Sequence, residues 1–244
     1  MALLEITNVS KRFGGLLAVN NVSFSIGEAE TAFIVGPNGA GKTTLFNLIT
    51  GVIHPDSGSI RFQGQEISRL TPDRAARLGI GRTFQIVKPL RNLTVLENVM
   101  LGAFQHTSSL ARAAEESKNV LQFLGMDHVM FLPALGMPLP MLKRLEIARA
   151  LATRPKLILL DEVVAGLPTA EALRLAALLK RLPEWGVSSI GGVEHVMQVV
   201  MRAADRVVVL DHGTLIAEGK PQEVVRLPQV IEAYLGPKYK ELGL

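Results

Sequence analysis

A glycine-rich stretch, Gly36-Pro37-Asn38-Gly39-Ala40-Gly41-Lys42-Thr43, constrains the fold of this chain more than any other feature. The short apolar run Thr31–Val35 precedes it, and residues 42–50 follow with helical spacing of leucine and isoleucine until Gly51. A strand, a glycine loop and a helix in this order bring backbone amides and the positive helix end to bound phosphate groups. A glycine turn with a solvated lysine is the alternative, but the flanking strand and helix favour a phosphate loop.

The loop predicts a nucleoside triphosphate ligand, namely ATP with magnesium. Lys42 would supply a positive charge to the phosphates, and the Thr43 hydroxyl would ligate Mg²⁺. The predicted ATP-binding residues of the loop run without interruption: Gly36, Pro37, Asn38, Gly39, Ala40, Gly41, Lys42, Thr43 and Thr44.

A second motif ends the apolar run of residues 157–160 with two carboxylates, Asp161 and Glu162. In open α/β sheets ligands bind at the carboxyl ends of the strands, where these side chains would lie. Asp161 would hold Mg²⁺ through water, and Glu162 would act as the general base on the attacking water. A strand that simply ends in two solvated acids is the alternative, which the phosphate loop makes less favourable.

The chain has 244 residues, and we expect one compact domain. Residues 4–9 and 22–26 alternate apolar and polar positions, which indicates antiparallel strands with one solvated face. Residues 95–151 have helical spacing, whereas residues 157–160, 187–193 and 206–210 alternate with helical stretches such as 171–182, as in a βα sheet. The tail, residues 221–244, is predicted to form two short helices.

Composition excludes several classes of protein. There is no cysteine, hence no disulfide or thiolate site, and the most apolar stretch, residues 129–142, is interrupted by three prolines. The first seven residues lack a basic segment typical of export signals, so we expect a cytoplasmic location. The net charge is +4, and its largest local excess (Arg74, Arg77, Arg82, Lys88 and Arg91) is read as solvated charge rather than as a nucleic-acid site.

Around these motifs the chain resembles the ATPase subunits of ABC transporters over essentially its whole length, and within them those of branched-chain amino acid importers. Residues 9–16 resemble the segment whose aromatic residue stacks on adenine, here Phe13, for which a core position is the alternative. Residues 81–85 resemble the glutamine loop, in which Gln85 would reach magnesium or its water. Residues 193–195 resemble the switch region, in which His195 would bond the γ-phosphate and orient Glu162. Residues 144–151 resemble the helix after the signature loop, and residues 230–236 the terminus of the amino-acid-import branch.

The resemblance implies an α/β fold: a P-loop NTPase (RecA-like) core with an antiparallel β-subdomain and an inserted helical subdomain. The core would comprise about 1–92 and 153–244, and the helical subdomain about 93–152. It also implies partners, namely a second ATPase subunit, transmembrane permease subunits and, indirectly, an external solute-binding protein. The chain would lie peripherally on the inner face of the cell membrane.

The chain departs from the family at the signature loop. Met137-Pro138-Leu139-Pro140-Met141 stands where the family has Leu-Ser-Gly-Gly-Gln. Each proline removes an amide donor, and Pro138 also replaces the serine hydroxyl that grips the γ-phosphate of the opposite subunit. There are two smaller departures. Residues 165–167 form an apolar loop before Pro168, and the pair Gly191-Gly192 lies in the strand before His195. Either departure reflects a close backbone contact or a divergent sequence.

These motifs lead us to expect an ATP-hydrolysing subunit that powers import of branched-chain amino acids. Import of another solute, such as urea or a polar amino acid, is an alternative, because the permease and the binding protein choose the cargo. A nucleotide-sensing module with little hydrolysis is another. An ABC ATPase acting on DNA or ribosomes would have long insertions or a second cassette, and this chain has neither.

Overall fold

The computed structural model describes residues 2–83, 88–192 and 197–235. Within these ranges the chain forms two β-sheets with helices packed around them. None of the described helices is both long enough and apolar enough to span a bilayer.

The first sheet is antiparallel and has the strand order β2-β1-β4-β5. Its two long strands form a hairpin whose register shifts at several points, with Glu5 opposite Ser25 and Phe13 opposite Leu16. The strands that the sequence predicted at residues 4–9 and 22–26 therefore extend further in both directions. The bounds are β1 Ala2–Phe13, β2 Leu16–Gly27, β4 Ser57–Phe62 and β5 Gln65–Glu66.

The second sheet has the order β10-β9-β3-β8-β7-β6. Strands β9, β3, β8, β7 and β6 run parallel, and β10 is an antiparallel edge strand beside β9. The bounds are β3 Thr31–Val35, β6 Ile80–Arg82, β7 Leu157–Asp161, β8 Ser188–Gly192, β9 Arg206–Asp211 and β10 Thr214–Gly219. The parallel strands direct their carboxyl ends, and hence the residues that follow them, to one edge of the sheet.

The helices of the described ranges connect and cover these strands. Between β6 and β7 the described chain is mainly helical. It also contains an isolated antiparallel β-bridge between Thr94 and Pro133. The bounds are α1 Lys42–Ile49, α2 Pro72–Leu78, α3 Val95–Ala103, α4 Leu110–Phe123, α5 Leu139–Leu151, α6 Thr169–Leu179, α7 Met197–Ala203, α8 Pro221–Val224 and α9 Pro228–Leu235. Short 3₁₀ segments lie at Asp127–Val129 and Leu182–Trp185.

The parallel sheet is buried on both faces, which explains why β3 and β7 are continuous apolar runs. Phe33 and Val35 pack into one hydrophobic cluster with the α3 to α6 helices, whereas Ala32 and Ile34 pack into a second cluster with α1 and the antiparallel sheet. Residues of β7 alternate between the same two clusters. This three-layer core holds the ends of β3 and β7 at fixed positions, separated by β8 alone.

Candidate nucleotide-binding site

The phosphate loop leaves the buried end of β3 and leads directly into α1. Gly36 has φ +150°, and a Cβ placed there would lie 2.0 Å from the carbonyl oxygen of Leu210 in β9. Gly41 has φ +97°, and a Cβ there would lie 2.3 Å from the carbonyl oxygen of Ala18 in β2. Glycine is therefore required at both positions by conformation and by close backbone contact. The loop is held between the two sheets.

The start of α1 keeps its amide donors available for an anion. Gly41 is the N-cap, and among the described residues no side chain caps this helix end and no acidic residue occupies its first turn. Helix N-termini without such partners bind phosphate groups well, because the amides point outward and the helix dipole is positive there. Thr43 is exposed and Thr44 is half-buried on this first turn, so both side chains are accessible to a ligand.

Lys42 is buried inside the loop. Its Nζ donates hydrogen bonds to the carbonyl oxygens of Gly36 at 2.5 Å and Pro37 at 2.6 Å. Burial lowers the pKa of Lys42, and the nearby carboxylates of Glu162 and Asp161 oppose this shift. The structure thus brings the loop lysine and both carboxylates of the second motif into one electrostatic environment.

Asp161 occupies the buried end of β7. Its amide donates to the Thr83 hydroxyl at 3.1 Å, and its carboxylate Oδ2 accepts a bond from Arg82 Nη2 at 3.1 Å. In β8, Gly192 is paired on one side with Asp161 of β7 and on the other side with Ile34 of β3. The main chain of Asp161 is therefore two strand spacings from β3, the strand that leads into the phosphate loop. Because adjacent strands are about 4.8 Å apart, the main chains are separated by roughly 10 Å.

Arg82 is a site residue that sequence reasoning missed, and its interpretation as solvated charge was wrong. Its side chain is 11% exposed and lies 5.9 Å above the ring of Phe46. Besides Asp161 it contacts Asn47 at 2.6 Å and Thr50 at 3.3 Å, both in the last part of α1. Arg82 therefore links the end of β6 to the phosphate-loop helix and to the carboxylate of β7. Its place between Gly81 and Thr83, within the predicted glutamine loop of residues 81–85, was the one available signal.

Phe13 and Glu162 line the same open cavity as the loop. The cavity has a volume of about 300 Å³, and its lining residues are Phe13, Leu16, Ala18, Asn38, Gly39, Ala40, Gly41, Lys42, Thr43, Thr44 and Glu162. Phe13 is 47% exposed, so it is not a core residue, and Lys11 Nζ lies 5.7 Å from its ring centre. A cavity lined by both an exposed aromatic ring and the phosphate loop suits a nucleotide, which has a planar base and anionic phosphates.

Two predicted site residues lie outside the described ranges. Gln85 belongs to residues 84–87 and His195 to residues 193–196, so their roles stay predictions. Oxygen donors within the described site include the Thr43 hydroxyl and the carboxylates of Asp161 and Glu162, and oxygen ligands of this kind are those that Mg²⁺ prefers. The residues present therefore fit a bound magnesium ion.

Residues 137–141, which the resemblance aligns with the signature loop, lie at the N-terminus of α5. Pro138 is the N-cap with φ −64° and ψ 150°, and within the described residues no side chain caps the helix. The amides of Met141 and Leu142 donate back to the Pro138 carbonyl at 3.0 and 3.1 Å. Amides that bond the helix itself are less available to a ligand, and Pro138 and Pro140 supply no amide donor.

A second cleft separates α3 and α5 from the end of β6 and from α2. It has a volume of about 370 Å³ and is lined mainly by small and apolar groups, among them Val52, Ala75, Leu101 and Gly102, together with Arg82 and Arg149. Val52 is 53% exposed and Leu101 is 44% exposed. The cleft adjoins Arg82, so it is connected to the nucleotide site through a single side chain.

The fold and this site define a phosphate-loop nucleotide-binding protein. A family model described as "ABC transporter" matches residues 19–165. The chain belongs to the ABC transporter family and is one of its ATP-binding cassettes. A further model, "Branched-chain amino acid ATP-binding cassette transporter", matches residues 214–236, which include β10, α8 and α9.

Curated relatives match the chain almost from end to end. It is 37% identical to the high-affinity branched-chain amino acid transport ATP-binding protein BraF of Pseudomonas aeruginosa, over 96% of this chain and 98% of the relative. It is 38% identical to the protein LivG of the same description from Salmonella typhimurium, with the same coverage of each chain.

Solved structures agree with the fold. The ADP conformation of an ATP-binding cassette of an ABC transporter superposes with a TM-score of 0.88 at 32% identity, covering 97% of this chain and 99% of that one. A dimeric post-hydrolysis state of another ATP-binding cassette, bound to ADP and Pi, has a TM-score of 0.79 at 27% identity, covering 89% and 98%. The predicted family and the α/β fold with its helical and antiparallel parts are confirmed.

Proposed function

We propose that this chain binds and hydrolyses ATP in order to power a membrane importer of branched-chain amino acids. The observation that carries the proposal is that Phe13, Lys42 and Glu162 line one cavity, while the Asp161 carboxylate is close enough to act on the Lys42 ammonium. The match of residues 214–236 to the branched-chain amino acid model supports the cargo.

In the proposed mechanism, Phe13 stacks on adenine, and the amides of residues 36–44 with the Lys42 ammonium hold the phosphates. Thr43, Asp161 and Gln85 would hold magnesium, which would neutralise charge on the transferred phosphoryl group. Glu162 accepts a proton from the attacking water as general base. His195 donates a hydrogen bond to the γ-phosphate and orients Glu162, as the resemblance implies.

The functional unit is proposed to be a dimer that encloses two ATP molecules. The dimeric cassette bound to ADP and Pi supports this arrangement. In it, residues 137–141 of each subunit would face the nucleotide held by the other subunit. Closure of the dimer on ATP would then be the event that drives transport.

The cleft lined by Val52, Leu101 and Arg82 is proposed to receive an apolar helix of the permease at the inner face of the membrane. Its exposed apolar side chains and its direct connection to Asp161 through Arg82 support this position. The permease, together with an external binding protein, would select the cargo, which leaves urea and polar amino acids as alternatives. Among the described residues, none forms a cargo site that we recognise.

Glu162→Gln tests the mechanism. With the permease present, we expect hydrolysis to fall by about 100-fold or more, because the general base is lost, while ATP binding persists. The exposed Glu184, which pairs with Arg181 outside the site, provides the control Glu184→Gln, and its hydrolysis should equal that of wild type. Undiminished phosphate release by Glu162→Gln would contradict the assignment of the base.

A nucleotide sensor with little turnover is the second candidate function, and the prolines at the start of α5 favour it. Phosphate release measured with and without the permease distinguishes the two functions. Turnover that rises on adding the permease supports transport, whereas ATP binding without turnover in both conditions supports the sensor.

A further inference from the structure

Lys143 is a buried lysine that the mechanism described so far does not use. It lies on α5, five residues after Pro138, and is 4% exposed. Its Nζ donates a hydrogen bond of 2.9 Å to the backbone carbonyl oxygen of Glu162. A buried ammonium group is unfavourable unless it is hydrogen-bonded, so this contact constrains both residues.

Glu162 has an unusual backbone conformation. Its φ is +47°, in the left-handed region that side chains other than glycine rarely adopt. Its carbonyl oxygen also accepts a hydrogen bond from the amide of Ala165 at 3.1 Å, so the Lys143 ammonium and the following turn hold it together. A strained backbone conformation persists only where surrounding contacts hold it in place, as these two hydrogen bonds do for Glu162.

The two partners of this contact belong to different parts of the molecule. Glu162 follows β7 of the parallel sheet, and its carboxylate lies close enough to Lys42 to act on that ammonium. Lys143 belongs to the helix that begins with the signature segment. Leu139, at the first position of the same helix, lies against Gly166, where an added Cβ would be 3.2 Å from its Cδ2. The first part of α5 therefore contacts both ends of the turn that runs from Glu162 to Gly166.

We propose that Lys143 is a positioning residue that holds the Glu162 main chain in its left-handed conformation and so transmits the position of α5 to the catalytic carboxylate. A movement of α5 in one subunit would then reposition Glu162, the proposed general base, in that same subunit. This inference rests on the proposed role of Glu162 as the base.

The test compares Lys143→Met, which removes the donor, with Lys143→Arg, which retains one. In the full-length chain with its permease, we expect Lys143→Met to lower kcat by about tenfold or more, because small displacements of a catalytic group have large effects on rate. The KM for ATP and the binding of ATP should change less than about threefold, since the phosphate loop is unaltered. Lys143→Arg should recover most of kcat.

The neighbouring Arg144 provides a matched control. It is also on α5 and largely buried, but it contacts the Leu124 carbonyl and Glu171 instead of Glu162. Arg144→Met should lower the thermal unfolding midpoint without a selective loss of kcat. A purely structural role for Lys143 predicts that Lys143→Met and Arg144→Met behave alike, and that result would overturn the proposal.

Two further measurements keep the outcomes distinct. If Lys143→Met does not fold, Lys143→Gln provides a polar replacement whose amide donor ends one bond further from the Glu162 carbonyl, beyond the 2.9 Å contact, and it should show the same selective loss of kcat. Glu162→Gln is assayed alongside. Normal turnover in Glu162→Gln rejects the proposed base itself, whereas loss of turnover in Glu162→Gln with normal kcat in Lys143→Met or Lys143→Gln rejects only the positioning role.

Discussion

The phosphate loop and the start of α5 are built in opposite ways, although in an ATP sandwich both would contact the same nucleotide from different subunits. The loop depends on Gly36 and Gly41, each of which has a backbone amide, and their positions are held by close contacts with β9 and β2. The α5 terminus begins with Pro138 and Pro140, which have no amide donor. The difference indicates that ATP binding by one subunit and the rate of hydrolysis by the dimer depend on separate parts of this chain.

The largest effect should come from filling the space at Gly36. Gly36→Ala places a Cβ against the Leu210 carbonyl, and we expect it to lower the free energy of unfolding by about 3 kcal/mol and to weaken ATP binding. Gly39 is the matched control, since it also has a positive φ, +81°, but no other described heavy atom lies within 4 Å of its Cβ position. Gly39→Ala should cost only about 1 kcal/mol.

Chemical denaturation and ATP titration of the two alanine variants measure this difference. Equal destabilisation by Gly36→Ala and Gly39→Ala would mean that the close contact with β9 is unimportant and that only backbone conformation matters.

An intermediate effect is expected from restoring donors to α5. The double substitution Pro138→Ser, Pro140→Gly returns a hydroxyl and two amides, and should raise hydrolysis by the dimer about tenfold, equivalent to about 1.4 kcal/mol of transition-state stabilisation. ATP binding by the isolated chain should stay within about twofold, because the subunit's own loop is unchanged.

The control for this substitution is Pro183→Ser, in the 3₁₀ segment Leu182–Trp185 outside the nucleotide cavity. Phosphate-release rates of the permease complex provide the measurement. If the double variant hydrolyses ATP no faster than wild type, Pro138 and Pro140 do not limit the rate. The inferred difference between the phosphate loop and the start of α5 would then not affect hydrolysis.

The smallest effect concerns an ion pair in the turn before β3, whose contribution to stability depends on pH. Glu30, in the turn before β3, accepts bonds from Arg206 at 2.6 and 3.0 Å and from the Gly27 amide at 2.6 Å. Burial raises the pKa of Glu30, but the Arg206 guanidinium and the Gly27 amide outweigh burial, so its pKa is lowered below the usual 4.5. The ion pair therefore stabilises the fold above about pH 4.5, and this contribution is lost as pH falls through the lowered pKa.

Glu30→Gln should lower the free energy of unfolding by about 1 kcal/mol at pH 7, a value reduced by solvent screening. Unfolding measured from pH 7 to pH 3 should show the difference between wild type and variant shrinking toward the acid end. A difference that does not depend on pH would show that the hydrogen-bond geometry of residue 30 matters and its charge does not. The first turn of α5 carries no acidic residue, so no matching acid effect is expected there.

Much of the nucleotide site was predictable because its motifs are local. The order of strand, loop and helix placed residues 36–44 correctly at the end of β3, and the apolar run ending in Asp161 was β7 as predicted. The short strands β4, β5, β6 and β10 were not predicted, because two to six residues with few apolar neighbours carry little periodic signal. The lengths of β1 and β2 were underestimated because polar residues at their hairpin end interrupt the alternation.

The sequence by itself predicted a nucleotide-binding loop and the ABC ATPase family, because the glycines, Lys42 and the paired carboxylates form local motifs that are recognised by residue type and spacing. Tertiary structure alone decided the partners of the buried cations. Arg82 meets Asp161 across 79 positions of the chain, and Lys143 meets the Glu162 carbonyl across 19. A buried charge is stable only beside a partner, and packing of the sheet against α1 and α5, which no local pattern encodes, brings those partners together.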